Sequence, residues 1–220
     1  MIQGVLFDLD GTLADTAPDL GYALNLQRER HGLAPLAQEI IRPYASHGTR
    51  GLFEIGFGMA PGDARFDVMR EEYLELYTAN LCRHTRLFPG MGELLDALEE
   101  RKIHWGVVTN KPARFTLPLM EQLELLDRAA SIVSGDTCPH PKPHPEPLLT
   151  AARELAVPAQ HCLYVGDAER DIEAARAAGM PALIADYGYL GATDRPETWG
   201  AQGRIGAPQD ILAFLALSGA

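Results

Sequence analysis

Cysteine is scarce in this 220-residue chain. There are three, at positions 82, 138 and 162, and no CxxC pair. An odd, widely spaced set argues against a disulfide framework or a thiolate zinc site and fits reduced structural thiols. Long apolar runs are missing too. No uncharged stretch approaches the ~20 residues a membrane span needs, and no basic-then-apolar leader opens the sequence. A soluble cytoplasmic protein without a membrane partner is expected. Positive charge is also in short supply, with 19 Lys and Arg against 30 Asp and Glu and a formal net charge of −11. That balance argues against nucleic acid as a partner. It leaves an anionic small molecule open, because a local cation can dominate a site.

What is present is alternation. Five short apolar runs read as buried strands: residues 2–9, 103–110, 130–136, 161–167 and 180–186. Each ends in turn chemistry. Between them, apolar residues recur at helical spacing, as in Leu94, Leu95 and Leu98, or Ile172, Ala175 and Ala178. Strand–helix alternation with near-continuous apolar strands predicts an α/β, doubly wound parallel sheet of Rossmann-like type. One segment breaks the pattern. From about residue 16 to 83 there is no strand signal, while Phe66, Met69, Tyr73 and Leu76 follow a three-four spacing. An earlier helix carrying Leu20, Leu24 and Arg28 stops near Gly32, a residue suited to the position after a helix end. The expected organisation is a core from residues 1–15 and 84–220, with a small helical cap domain inserted at 16–83.

Ligands of open parallel sheets sit beyond the carboxyl ends of the strands. The first strand delivers Asp8 and Asp10 in "VLFDLDGTLADT". The second ends in Thr109 and Asn110. The third leads to Asp136 and then Lys142 in "PKPHPEP". The fourth ends in Asp167, with Asp171 one helical turn on. Clustered carboxylates raise one another's pKa and need a positive partner. More acids than lysines implies a hard divalent cation, and Mg2+ suits one or two carboxylates, waters and a substrate phosphate. Lys142 is a compact charge for phosphate, and Thr109 supplies a hydroxyl donor. N–H groups opening the helix after Thr109 would favour an anion. These are parts for phosphoryl transfer, where catalysis is positioning and charge neutralisation.

"DLDGT", the Thr of "VVTN", the Lys of "KPHPEP" and "GDAERD" resemble, in order, the four motifs of the haloacid dehalogenase superfamily. The resemblance spans nearly the whole chain. It implies that Asp8 is the nucleophile that becomes an aspartyl-phosphate. It makes Asp10 the general acid and then base, with its backbone carbonyl on the metal. Thr109 and Lys142 would hold the phosphoryl oxygens. Asp167 would bind Mg2+, and Asp171 would bind it through water or orient Lys142. The acid at position 10 favours phosphate esters, because a halide leaves without a proton. The general look is that of the phosphoglycolate phosphatase group. A nearer resemblance, in "LFPGMGELL", "WGVVTNKPARF", "GDAERDIEAARAAG" and "YGYLG" followed by "WGA", is to phosphatases of N-acetylmuramic acid 6-phosphate in cell-wall recycling.

Smaller features complete the expectations. In "SHGTRGL" at 46–52, His47 and Arg50 are read as contacts for a substrate carboxylate, against the plainer reading of an exposed inter-helix turn. Asn110 is grouped with the substrate-binding residues. Tyr187, Tyr189 and Trp199 lie in a shaped loop that either faces a sugar ring or packs on the core. Asp136 reads as a turn residue. His31, His84, His104, His140, His144 and His161 form no helical i,i+4 pair and read as surface or packing residues. The function expected is a Mg2+-dependent phosphomonoesterase, a monomer or homodimer, acting on a small phosphorylated substrate that carries a carboxylate. A phosphomutase, a receiver-type signalling domain and a non-catalytic phosphosugar-binding protein are the rival readings.

Overall fold

The computed structural model describes residues 1–217. The chain divides into two compact units. One joins Met1–Ala14 to the chain from Leu87 onward, and the other is Asp15–Arg86. The first strand, β1 (Gly4–Phe7), is buried throughout. Strands β2 (Ala14–Asp15) and β3 (Arg86–Leu87) pair as a two-stranded ribbon where the chain passes from one unit to the other and back.

The second unit is helical, with α1 (Ala17–Arg30), α2 (Gln38–Ile41), a 3-10 turn at Arg42–His47, α3 (Gly48–Phe57) and α4 (Phe66–Thr78). α1 stops at His31, and Gly32 follows with φ +72°, a left-handed backbone that glycine adopts without strain. The aromatic core of this unit centres on Phe53, which meets Phe57, Phe66 and Tyr73 edge-on. Its two chain ends are tied by Asp19, which is fully buried. The Asp19 carboxylate accepts from the His84 N–H at 2.9 Å, the Thr85 N–H at 2.8 Å and the Thr85 hydroxyl at 2.8 Å. Three donors stabilise the buried charge.

The first unit continues with α5 (Met91–Glu100), β4 (His104–Val108), α6 (Ala113–Gln122), β5 (Ser131–Val133), α7 (Glu146–Glu154), β6 (Cys162–Gly166), α8 (Glu169–Ala178), β7 (Ala182–Ala185), β8 (Gly203–Ile205) and α9 (Asp210–Leu217). The sheet has six strands in the order β5-β4-β1-β6-β7-β8. Every pairing in it is parallel. The doubly wound α/β architecture expected from the alternation is the one observed. β8 was not foreseen, since three residues with a central Arg204 carry no strand signal of their own; pairing with β7 makes the strand.

Strand faces follow the two-residue period. Leu6, Val108, Cys162 and Tyr164 join Leu148 and Ala151 of α7 and Ile172 and Ala175 of α8 in one core. Register then sets the site. Phe7 stands level with Val107 on one side and Val165 on the other. The residues that leave these three central strands therefore emerge together, at the point where the winding reverses.

Candidate active site

Asp8 follows β1, and its N–H donates to the Val165 carbonyl at 2.9 Å. Thr109 follows β4, and Asp167 follows β6. Lys142 arrives on the proline-rich loop before α7. All four are 2–3% exposed. The Lys142 ammonium lies 2.9 Å from Asp8 Oδ1 and 2.7 Å from Asp171 Oδ1. It also donates to the Val108 carbonyl at 2.8 Å and the Tyr164 hydroxyl at 2.7 Å. The Lys142 head is thus fixed by both acids, a strand end and a phenol. Its backbone is fixed as well. The Asn110 amide donates to the Lys142 carbonyl at 2.9 Å and accepts from the Lys142 N–H at 2.9 Å. Asn110 thereby clamps the Lys142 loop.

Asp171 sits in the first turn of α8 and is fully buried. One oxygen meets Lys142 and the Tyr164 hydroxyl, and the other accepts from the Ala168 N–H at 3.1 Å. The contact present is the Lys142-orienting one. Thr109 Oγ1 accepts from the Lys111 N–H at 3.1 Å, which leaves its hydroxyl hydrogen to donate. The helix after Thr109 opens only at Ala113, whose N–H donates to Asp136 Oδ1 at 2.8 Å. Asp136 is therefore a cap, and that N–H is not open to an anion.

Asp10 Oδ1 pairs with the Lys111 ammonium at 2.8 Å. Sequence reasoning passed over Lys111, although it stands directly after "VVTN". It also passed over Tyr164, which reads as one more core residue of an apolar strand, and Arg170 inside "GDAERD".

Asp8, Asp167 and Asp171 offer carboxylate oxygens within 4.8 Å of one another, all buried. Burial pushes the Asp167 carboxyl up to about 7, with the charges of Asp8 and Asp171 adding and the Tyr189 N–H opposing. Burial also raises Asp8, which Lys142 opposes and Asp171 reinforces. Burial disfavours the Arg170 charge, but Asp171, Asp8 and Asp167 outweigh it and its pKa rises. Tyr164 stays protonated, raised well above the usual phenol by burial and by Asp171 and Asp8. The group holds more negative charge than its own cations settle. Glycine backbone packs directly against Asp167: a Cβ on Gly11 would stand 2.1 Å from Asp167 Oδ2, and one on Gly188 2.4 Å from Asp167 Cβ. Three buried carboxylates within reach of one another, one of them held near neutral pH, fit a hard divalent cation.

The aromatic loop packs inward. Tyr189 and Trp199 are buried, and Tyr189 donates its N–H to Asp167 Oδ2 at 2.8 Å. Tyr187 donates to the Thr12 carbonyl at 3.1 Å and lies against Phe88. Of the two roles expected for this loop, packing is the one seen. His140 and His144 lie in the non-helical Lys142 loop with ring centroids 4.8 Å apart. In the second unit, His47 ends the 3-10 turn and Arg50 lies in the first turn of α3, both exposed.

Acids and a lysine gathered at the switch point of a parallel sheet define an α/β enzyme built for an anionic ligand. The haloacid dehalogenase-like hydrolase family model matches residues 5–185, and the chain belongs to that family. It is 40% identical to the N-acetylmuramic acid 6-phosphate phosphatase of Pseudomonas putida, over 96% of this chain and 94% of that protein. It is 41% identical to a phosphoglycolate phosphatase of Xanthomonas campestris pv. campestris, over 95% and 94%. A crystal structure of a predicted phosphoglycolate phosphatase from Haemophilus somnus superposes with a TM-score of 0.85 at 25% identity, covering 97% and 98% of the two chains. The chain is a phosphatase of this family.

Proposed function

We propose a Mg2+-dependent phosphomonoesterase that works through an aspartyl-phosphate on Asp8. The observation that carries this reading is the burial of Asp8, Thr109 and Asp167 at three neighbouring strand ends, with Lys142 brought to Asp8 by the loop before α7. Asp8 Oδ attacks phosphorus as the ester P–O bond breaks, and the leaving oxygen takes the proton of the Asp10 carboxyl. Lys142 and Thr109 hold the phosphoryl oxygens. A water then attacks phosphorus and gives its proton to Asp10. The P–O bond to Asp8 breaks, which frees inorganic phosphate and restores the Asp8 carboxylate. Mg2+, held by Asp8, Asp167 and the Asp10 carbonyl with Asp171 behind water, would neutralise phosphoryl charge when bound. The helical unit at 16–83 acts in this reading as a cap that excludes bulk water during transfer. His47 and Arg50 on it contact the outer part of the substrate. The location is cytoplasmic, a reading that three free cysteines support.

The substrate is a phosphate monoester that also bears a carboxylate. N-acetylmuramic acid 6-phosphate is the first reading, from the name of the Pseudomonas putida relative. 2-Phosphoglycolate is the second. The inward packing of Tyr189 and Trp199 favours it, because it removes the aromatic wall an amino sugar would use. Phosphate release from both esters in Mg2+, with Asp8→Asn and chelated enzyme as controls, tests the proposal. Turnover that survives either control refutes the mechanism. Absence of turnover on both esters refutes the substrate class.

A further inference from the structure

We infer that Tyr164 is a positioning residue whose hydroxyl hydrogen stands in for one from Lys142, so that two of the three ammonium hydrogens remain for Asp8 and the phosphoryl group. The inference rests on the phosphatase reading above and concerns the same site.

The site is short of hydrogens. An ammonium carries three. Four oxygens lie within 2.9 Å of Lys142 Nζ: Asp8 Oδ1, Asp171 Oδ1, the Val108 carbonyl and the Tyr164 hydroxyl. A phosphoryl oxygen makes a fifth. Of these, only the hydroxyl brings a hydrogen of its own, and burial, with Asp171 and Asp8 adding, keeps it on the phenol. That hydrogen reaches the Val108 carbonyl at 3.0 Å and Asp171 Oδ1 at 3.3 Å. The Val108 carbonyl ends β4. Asp8 turns its N–H to Val165 on β6, so the chain beyond β1 next faces β4 at Leu9. The Leu9 N–H goes to Asp8 Oδ1 at 2.8 Å. The Val108 carbonyl and Asp171 Oδ1 thus form a deep pair that Lys142 and Tyr164 supply together. Lys142, Tyr164 and Asp171 are buried, and a buried acceptor left without a hydrogen is costly.

With the Tyr164 hydrogen on one member of the deep pair, Lys142 serves the other with one hydrogen and keeps two. One stays on Asp8 Oδ1, which leaves Oδ2 to attack. The other goes to a phosphoryl oxygen in place of the Tyr164 oxygen, a neutral acceptor and a weaker one than a charged oxygen. Without the hydroxyl, the deep pair takes two Lys142 hydrogens, and Asp8 and the phosphoryl group share the third. The shortage belongs to the reacting complex. A free protein lacking the hydroxyl still has three hydrogens for three oxygens. Competition is fullest as phosphorus closes on Asp8, where both acceptors face the ammonium at once. Sharing one charge-assisted hydrogen bond between two acceptors corresponds to roughly 3- to 10-fold in rate.

Tyr164→Phe tests this. It should lower kcat roughly 3- to 10-fold and move KM less than about twofold. Orthovanadate takes the five-coordinate geometry of the transferring phosphoryl group, and its inhibition constant should rise by the same factor as kcat falls. Placing 4-aminophenylalanine at position 164 returns a hydrogen donor and should restore most of kcat. An unchanged kcat, a KM that rises as far as kcat falls, a vanadate constant that does not follow kcat, or no rescue overturns the inference and leaves Tyr164 as packing. If Tyr164→Phe does not fold, the 4-aminophenylalanine protein decides. Turnover near that of wild type supports the donor role, and a loss of about threefold or more overturns it. If the wild type releases phosphate from neither ester, the phosphatase reading fails, and calorimetric binding of orthovanadate in Mg2+ still reads Tyr164. Weaker binding to Tyr164→Phe then supports the role. Equal binding, or none to either protein, overturns it.

Discussion

Asp167→Asn should make the metal-free protein more stable while removing its response to Mg2+. Asp167 is 2% exposed, and burial with the charges of Asp8 and Asp171 holds its carboxyl up to about 7 against an ordinary 3.8. The sign follows from linkage. A raised acid pKa means that the unfolded chain gives up this proton first as pH rises. The stability tied to the proton is complete below about pH 3.8, drains between 3.8 and about 7, and is gone above. That span corresponds to a ceiling of about 4 kcal/mol. Asparagine carries no charge, and its oxygen can still accept from the Tyr189 N–H. In chelator at pH 8, urea unfolding should find the variant about 2–4 kcal/mol more stable than wild type. By pH 4.5 the gap should shrink to about 1 kcal/mol, since folded Asp167 is then still protonated and little of the span from 3.8 to about 7 has been crossed. Mg2+ should stabilise wild type strongly at pH 8. Below pH 7 the binding should weaken by about tenfold per pH unit, because the ion must displace the Asp167 proton. A variant less stable than wild type in chelator at pH 8 would refute the reasoning. So would an equal Mg2+ response in both proteins.

Other perturbations separate the remaining parts. Tyr164→Phe removes the hydroxyl shared by Lys142, Val108 and Asp171; it should cost about 1–2 kcal/mol of stability and lower kcat several-fold with little change in KM, measured by urea unfolding and steady-state kinetics. Asp19→Asn turns an amide donor toward three donors; denaturant unfolding should find a loss of about 2–4 kcal/mol, and a neutral result would mean that residues 84 and 85 are held by other contacts. Arg50→Ala should raise KM for the acidic ester far more than for p-nitrophenyl phosphate while leaving kcat in place, and an equal change on both would remove Arg50 from substrate recognition.

The sequence made the strand-end groups legible because their chemistry is local. An apolar run that stops at Asp8, Thr109 or Asp167 announces a strand end, and parallel topology then brings strand ends together. Partners across the fold were not legible. Tyr164 alternates onto the face of β6 that meets α7 and α8, and nothing in "HCLYVGD" distinguishes a phenol that touches Lys142 from one that fills space. Asp19 reads as an ordinary acid in the first turn of α1, yet its partners are 65 and 66 positions away. β8 exists only by pairing.

The same limit reshapes the argument for a metal. From the sequence, the acids outnumber the lysines, and every carboxylate counts toward a missing cation. In the fold, the lysines are already distributed. Lys142 serves Asp8 and Asp171 together, and Lys111 serves Asp10. The demand for a divalent ion therefore concentrates on the Asp8–Asp167 side of the group, where the Asp167 carboxyl is held up to about 7. Asp10 and Asp8 stand two residues apart in one motif. Because each faces a different lysine, one can be held for attack on phosphorus while the other is held in reserve for the proton.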